Sequence, residues 1–251
     1  MGTPSRLSTS KLRDLIRRRI KKAVIKYNLI EQTDRILLAY SGGYDSLVLT
    51  CLINSPQFPW YNKVTIQPIT VLGGLPDENN KAERSKRFLE KLGYNLIMLK
   101  RDIFKYAFGE DAPYSPCFIC SRMRRKFLIE YAFQNGFNKI AFAHNKGDVI
   151  ETFFLNLLYG RELSTFIPRL DILDGRLKLI RPMILASAGY IREYARKSGF
   201  PHLSYSCPYN DKSKRNIIRE FLRGFEQKLP GVRRNIFNAL TNPKYEYLWK
   251  S

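Results

Sequence analysis

Acidic residues are scarce in this 251-residue chain: 22 Asp and Glu stand against 43 Lys and Arg, for a formal charge of +21. Histidine is rarer still, with only His144 and His202. Any four-ligand metal site must therefore draw its last donor from one of two side chains. Cysteine occurs four times, as Cys51, Cys117, Cys120 and Cys207, and with none before residue 51 or after residue 207 no cysteine-rich zinc module is expected at either end. No apolar run reaches the roughly 18 residues that a membrane span needs, and no signal-peptide pattern opens the chain. Repeats, low-complexity tracts and long linkers are also missing, and a 44% apolar share is ordinary for a folded chain. These absences predict a globular protein of the cytoplasm without a membrane anchor.

The basic excess fits a polyanionic partner bound with steep salt dependence. It falls in four runs, which make Arg17, Arg18, Arg19, Lys22, Arg122, Arg125, Lys126, Lys214, Arg215 and Arg219 candidate RNA contacts, with Arg233 and Arg234 further on.

The most informative stretch is Ser41-Gly42-Gly43-Tyr44-Asp45-Ser46, set between an apolar strand and a helical pattern. Paired glycines allow a tight turn and close approach of a ligand, and Ser and Asp suit a helix start. Free N–H groups at that start, with the helix dipole behind them, form a cradle for a pyrophosphate. The spacing differs from the GxxxxGK(S/T) loop, and no Lys-Ser or Lys-Thr pair follows. The run resembles the loop of the PP-loop ATP pyrophosphatases, which split ATP between the α and β phosphates to adenylate a substrate.

Around this loop, periodicity predicts a basic amphipathic helix over 10–30, then strands at 35–40, 63–72, 95–99 and 139–143. Helices are expected at 46–53, 80–92, 122–135 and 148–159. Downstream come a short strand at 176–181 and helices at 186–198, 211–228 and 232–240. Alternating strands and helices argue for an α/β fold, a twisted parallel sheet with helices on both faces. Ligands of such sheets bind beyond the strand C-termini, where the glycine loop and the His144-Asn145 turn both fall. The expected division is an N-terminal basic helix (1–34), a catalytic domain (35–210) and a small helical C-terminal extension (211–251).

Cys51 sits on an apolar helical stretch and reads as a plain buried side chain. Cys117 and Cys120 lie one turn apart, and Cys207 stands alone before Pro208 and Tyr209. A redox disulfide is the weakest reading, because the surroundings are not thioredoxin-like. Spacing leaves zinc and an iron–sulfur cluster equally open; three thiolates on a cubane leave one iron free to carry sulfur.

Taken in order, the loop, Cys117-Phe118-Ile119-Cys120-Ser121-Arg122-Met123-Arg124-Arg125, Ala143-His144-Asn145-Lys146-Gly147-Asp148-Val149-Ile150-Glu151-Thr152, Arg181-Pro182 and Cys207-Pro208-Tyr209 resemble the TtcA/TtuA group of tRNA sulfurtransferases over roughly Lys11 to Leu240. The resemblance implies an enzyme that adenylates a pyrimidine carbonyl in tRNA with ATP and Mg²⁺ and replaces the oxygen with sulfur. It makes Cys117, Cys120 and Cys207 ligands of a [4Fe-4S] cluster, which raises the cluster above zinc. Ser41, Gly42, Gly43, Asp45 and Ser46 would hold phosphates, Ala39, Val71 and Ala143 would line the adenosine pocket through backbone contacts, and Tyr40 would also contact ATP. Arg124 would face phosphate or RNA, Asp45 would serve catalysis, and Asp148 would stand near Mg²⁺ and the activated base. The sulfur donor would be small sulfide or a carrier protein, and the assembly a homodimer. Two departures stand out: Tyr44 where many members have Lys, and Gly147 where they have the first of two paired acids. Rival readings are an adenylating enzyme with an amine nucleophile, such as a lysidine synthetase or an amide ligase, and a non-catalytic RNA-binding relative.

Overall fold

The computed structural model describes residues 7–109, 114–205, 207, 209 and 213–248. The chain folds as two compact units, Met1–Asn145 with Ile167–Tyr209, and Lys146–Phe166 with Asn210–Ser251.

The first unit is built on a six-stranded sheet of order β3-β2-β1-β4-β6-β5. Its strands are β1 (Arg35–Ala39), β2 (Thr65–Leu72), β3 (Ile97–Lys100), β4 (Lys139–Ala141), β5 (Arg169–Ile172) and β6 (Leu177–Ile180). All neighbours pair in parallel except β5, which runs antiparallel to β6. The registers Leu38↔Ala141 and Ala39↔Ile69 bring the C-terminal ends of β1, β2 and β4 together. The loops after these strands thus share one end of the sheet, the position where parallel sheets bind ligands.

Helices of this unit are α1 (Thr9–Tyr27), α2 (Tyr44–Ile53), α3 (Glu78–Glu90), α4 (Ile103–Ala107), α5 (Pro116–Gln134) and α7 (Ala188–Lys197). Leu37, Ile69 and Val71 pack with Ile103, Leu128, Ala132 and Ile140, so α4 and α5 cover one face. Ile36 and Leu38 alternate to the other face and are equally buried. There α1, α2 and α7 pack on one another as the second layer. Below the sheet, the fully buried Lys139 ammonium lies 2.7 Å from Asp34, whose carboxylate also accepts from Asn138 Nδ2 and the Glu31 amide. Arg169 Nε and Nη2 donate to the two Asp171 carboxylate oxygens at 2.8 and 2.9 Å, which puts charge on the outer strand, a device that discourages strand addition.

The second unit contains α6 (Lys146–Leu155), a π turn (Asn156–Gly160), α8 (Lys214–Lys228), α9 (Val232–Leu240) and a 3₁₀ turn (Tyr245–Tyr247). Phe154 packs edge-on to Phe221, and the Lys146 ammonium lies over the Phe237 ring.

The elements differ from expectation in instructive ways. The strand β5 and the short α4 were not expected, because alternating Arg-Leu-Asp-Ile reads as loop and five residues carry too little period. Helix α5 starts six residues before the expected 122, since Pro116 at its first turn has a φ already suited to a helix. The expected helix 148–159 ends at Leu155 and passes into the π turn. The expected start of α8 at 211 lies outside the described residues.

Candidate active site

The glycine loop takes the form its residue types demand. Gly42 has φ +77°, and a Cβ there would stand 2.3 Å from the Leu203 carbonyl oxygen. Only glycine fits, because the backbone of Leu203 closes over it and donates to the Gly42 carbonyl at 3.0 Å. Gly43 caps α2 in extended conformation with no side chain bonding the first-turn amides. The Ser46 hydroxyl lies 3.1 Å from both the amide and the hydroxyl of Ser41 and donates to the Gly43 carbonyl at 3.0 Å. Ser41 and Ser46 therefore brace the turn from inside. Asp45 accepts from Asn145 Nδ2 at 3.2 Å, which ties the loop to the end of β4.

The other expected nucleotide residues surround this loop unevenly. Ala39 and Ala143 are half-buried. Tyr40 is buried, and burial pushes its phenol up to about 12, so a ligand can meet it through backbone alone. The Val71 carbonyl is occupied by Arg124 Nη1 at 2.6 Å. Tyr44 packs edge-on against His202 at 4.8 Å, and His202 bonds the Ser204 hydroxyl. His144 accepts from the buried Arg181, whose pKa is lowered to about 10 by burial and then by Arg125.

Helix α5 carries Cys117 and Cys120 on one face, with Arg124 one further turn along. Cys117, Cys120 and Cys207 are free thiols lining one cavity of about 380 Å³ together with Ser41 of the glycine loop. Burial raises the Cys117 thiol pKa, and the Cys207 and Cys120 thiols raise it further. Cys51 stands apart in α2, pushed up to about 12 by burial.

The cavity tests the metal readings. Its described lining holds no histidine and no carboxylate. Zinc would lack its fourth ligand there, since His144 and His202 are both engaged elsewhere. Among the described residues, no three His, Cys, Asp or Glu side chains converge as ligands of a single ion do. A cubane takes its thiolates at separate corners, and three thiols around a shared cavity fit it.

Arg124 is held from two sides. Its Nη2 donates to Glu78 Oε1 at 2.7 Å, while Nη1 takes the Val71 carbonyl. Burial opposes its charge, but Cys120 and Glu78 outweigh burial and raise its pKa. It lines the thiol cavity. Glu78 was not expected from sequence, because its partner lies 46 residues away and an acid opening a helix reads as a surface residue.

The second unit places Asp148 and Glu151 on α6, where Arg215 lies 3.8 Å from each and Arg219 Nε donates to Glu151 at 2.9 Å. Two candidate RNA cations are thus engaged by acids. Arg17 is likewise bonded to the Ser55 hydroxyl, whereas Arg18, Arg19 and Lys22 are exposed on α1. Arg122, Arg125 and Lys126 are exposed on α5, Lys126 beside Glu130, and Lys214 lies over the Tyr159 ring.

Comparison with known proteins decides the family. The PP-loop domain family matches residues 12–224. The tRNA-cytidine(32) 2-sulfurtransferase of Cellvibrio japonicus is 32% identical over 243 residues, 94% of this chain and 78% of that protein. The chain belongs to the PP-loop tRNA sulfurtransferase family. A second PP-loop relative, the tRNA-cytidine(32) 2-sulfurtransferase of Azotobacter vinelandii, is 32% identical over 248 residues, 96% of this chain and 88% of its own. Among solved structures, the U34-tRNA thiolase NcsA from Methanococcus maripaludis, with its [4Fe-4S] cluster, aligns at a TM-score of 0.74 and 21% identity. That alignment covers 96% of this PP-loop protein and 81% of the thiolase. The ammonia-dependent NAD synthetase of Campylobacter jejuni aligns at 0.51 and 16% identity, covering 96% and 95%. Both share the fold. No helix among the described residues is long and apolar enough to cross a membrane.

Proposed function

We propose that this PP-loop protein is an ATP-dependent tRNA sulfurtransferase of the cytoplasm that replaces the C2 oxygen of a cytidine with sulfur, cytidine 32 being the target. The observation that carries the reading is the cavity shared by Ser41 of the glycine loop and by Cys117, Cys120 and Cys207. Activation and sulfur delivery need one base to meet both an α-phosphate and a sulfur source. The rival adenylating enzymes, which use amine nucleophiles, have no use for three thiols beside the loop.

A carbonyl oxygen is a poor leaving group until it is adenylated. The Ser41, Gly42 and Gly43 backbone would hold the phosphates at the α2 N-terminus, where the dipole favours charge growing on pyrophosphate. Asp45 would serve catalysis, and Asp148 would hold Mg²⁺, an ion that neutralises charge of this kind. Cys117, Cys120 and Cys207 would hold a [4Fe-4S] cluster, whose open iron supplies the sulfur-carrying position. Arg124 would set a positive charge beside these thiolates. The exposed Arg18, Arg19, Lys22, Arg122 and Arg125 would grip tRNA phosphates. Sulfide or a sulfur-carrier protein is the donor in this reading, and the working form is a homodimer.

The test is thiolation of tRNA transcripts by protein purified without oxygen, with iron and acid-labile sulfide measured beside activity. The expected result is ATP-dependent 2-thiocytidine in a transcript with C32, none in a C32U transcript, and loss of iron and product in Cys117→Ala. Cluster-loaded protein that binds tRNA yet forms neither pyrophosphate nor thiolated base would overturn it in favour of a non-catalytic RNA binder.

A further inference from the structure

Helix α3 carries cations that lie outside the four basic runs of the sequence. Arg84, Arg87 and Lys91 are exposed and, with Phe88, Pro201 and Leu203, line a groove of about 460 Å³ in the first unit. At 3.6 residues per turn, Arg84, Arg87, Phe88 and Lys91 fall within about 100° of one another round the helix. Glu83 and Glu90 lie about 100° from the centre of that face and take no part in the lining. Among the described residues no acid pairs with Arg84, Arg87 or Lys91, whereas Arg124, Arg169, Arg215 and Arg219 each have one.

The surface between these charges is apolar and fixed. The Phe88 ring packs edge-on to Phe200 at 5.9 Å, and Phe200 edge-on to Tyr194 at 5.8 Å. Leu203 is 2% exposed, and its backbone is the one that closes over Gly42. The groove therefore adjoins the segment that shapes the glycine loop, and an occupant lies next to the nucleotide site.

Charge and length choose that occupant. A second copy of a chain carrying +21 would be repelled, and a polyanion would be drawn in. From Arg84 to Lys91 the helix rises about 10 Å. One strand of a duplex offers a phosphate about every 3.4 Å of axis, so the three cations match roughly three successive phosphates. With no ion pair to break first, each side chain is free to meet a phosphate, and the apolar lining suits the carbon face of ribose.

We propose that the α3 groove is a tRNA backbone site, in which Arg84, Arg87 and Lys91 hold consecutive phosphates of one strand while Phe88, Pro201 and Leu203 carry the sugars. Its purpose rests on the tRNA half of the function proposed above, not on sulfur transfer.

The test is binding of a labelled tRNA transcript by the full-length protein across a salt series, without ATP. Arg84→Ala/Arg87→Ala should weaken binding about three- to tenfold at physiological salt and lower the salt slope of log K by about 1.5, the yield of two phosphate contacts. The matched control is Lys63→Ala/Arg176→Ala, which removes the same charge just before β2 and β6, at the end of the sheet opposite the glycine loop. Its slope should change by less than about 0.5. A benzophenone side chain in place of Arg87 should crosslink to tRNA on irradiation, and one in place of Lys63 should not. Parental affinity and slope in the α3 pair overturn the inference, and so does an equal loss in the control pair, which marks a diffuse field rather than a contact. Crosslinking from position 87 to ATP in place of tRNA overturns it as well, since the groove would then hold a free nucleotide. All four replaced side chains are exposed, so unfolding midpoints should match the parent. Should the α3 pair lose stability, Arg84→Gln/Arg87→Gln must show the same lowered slope. A parent that binds tRNA through the groove and forms no thiolated base overturns sulfur transfer alone, whereas a parent that binds no tRNA overturns both.

Discussion

The two glycines of the loop look equivalent in sequence, and the structure predicts that they fail differently. Gly42→Ala would put a side chain at φ +77°, where an L-residue costs about 1–2 kcal/mol. Its methyl would also stand 2.3 Å from the Leu203 oxygen and 2.7 Å from its carbonyl carbon. Since both are backbone atoms, the chain at Leu203 must move and the 3.0 Å bond from its amide to Gly42 is lost. A bond of that kind is worth about 0.5–1.5 kcal/mol, and overpacking adds to it, for a total of about 2–4 kcal/mol. Gly43→Ala meets no such obstacle: φ is −78°, and the nearest atom to the new Cβ is the Ser41 hydroxyl at 3.6 Å. Its stability should stay within about 0.5 kcal/mol of the parent. Its methyl would nevertheless occupy space that a bound phosphate approaches. Urea unfolding followed by titration with a non-hydrolysable ATP analogue measures both quantities. The expected pattern is a large stability loss in Gly42→Ala, and in Gly43→Ala a parental midpoint with nucleotide affinity reduced about tenfold or more. Equal stability of the two variants would refute the steric argument, and undiminished affinity in Gly43→Ala would refute the phosphate cradle.

Further expectations concern the sheet, the RNA and the thiols. Asp34→Ala leaves the Lys139 ammonium buried without its 2.7 Å partner, so unfolding free energy should drop by about 3–5 kcal/mol, and Lys139→Met in the same chain should recover part of it. Replacing Arg18, Arg19 and Lys22 together by Ala should weaken tRNA binding and lower the salt slope of log K by about 2 to 3, whereas Arg17→Ala should change it less because Ser55 holds that side chain. Burial lifts the Cys51 thiol from 9.0 to about 12, so the folded state resists its ionisation. The sign follows: the stability is whole below pH 9 and is lost as pH rises towards 12, and Cys51→Ala should flatten that part of an alkaline denaturation curve.

Much of this molecule was legible from local pattern. The strand, loop and first helix could be read because an apolar run, two glycines and an apolar helical stretch each impose their own geometry at short range. The parallel sheet followed from alternation, and α9 falls at 232–240 as expected because Gly231 opens it and a clear period runs through it. What escaped depends on distance along the chain. Glu78 acquires its meaning only when β2 and α5 lie side by side, and β5 exists because β6 offers it an edge rather than because its own residues favour a strand. The shared lining of Ser41 and the three cysteines is of the same kind, since no spacing rule links positions 41, 117 and 207. Residue types suggested the chemistry, and the sheet's loop-bearing end brings the parts together.

The makeup of the second unit bears on how the chain is born. Its α6 segment, Lys146–Phe166, emerges from a ribosome well before α8, because the sheet's last strands and α7 intervene. About fifty residues separate the two, which at roughly 5–20 residues per second is a wait of a few seconds. For that interval Phe154 has no Phe221 to pack on and Glu151 has no Arg219. Synthesis slowed between these segments should prolong the exposure, and a stalled nascent chain ending near residue 209 should present α6 to chaperones that the released protein evades.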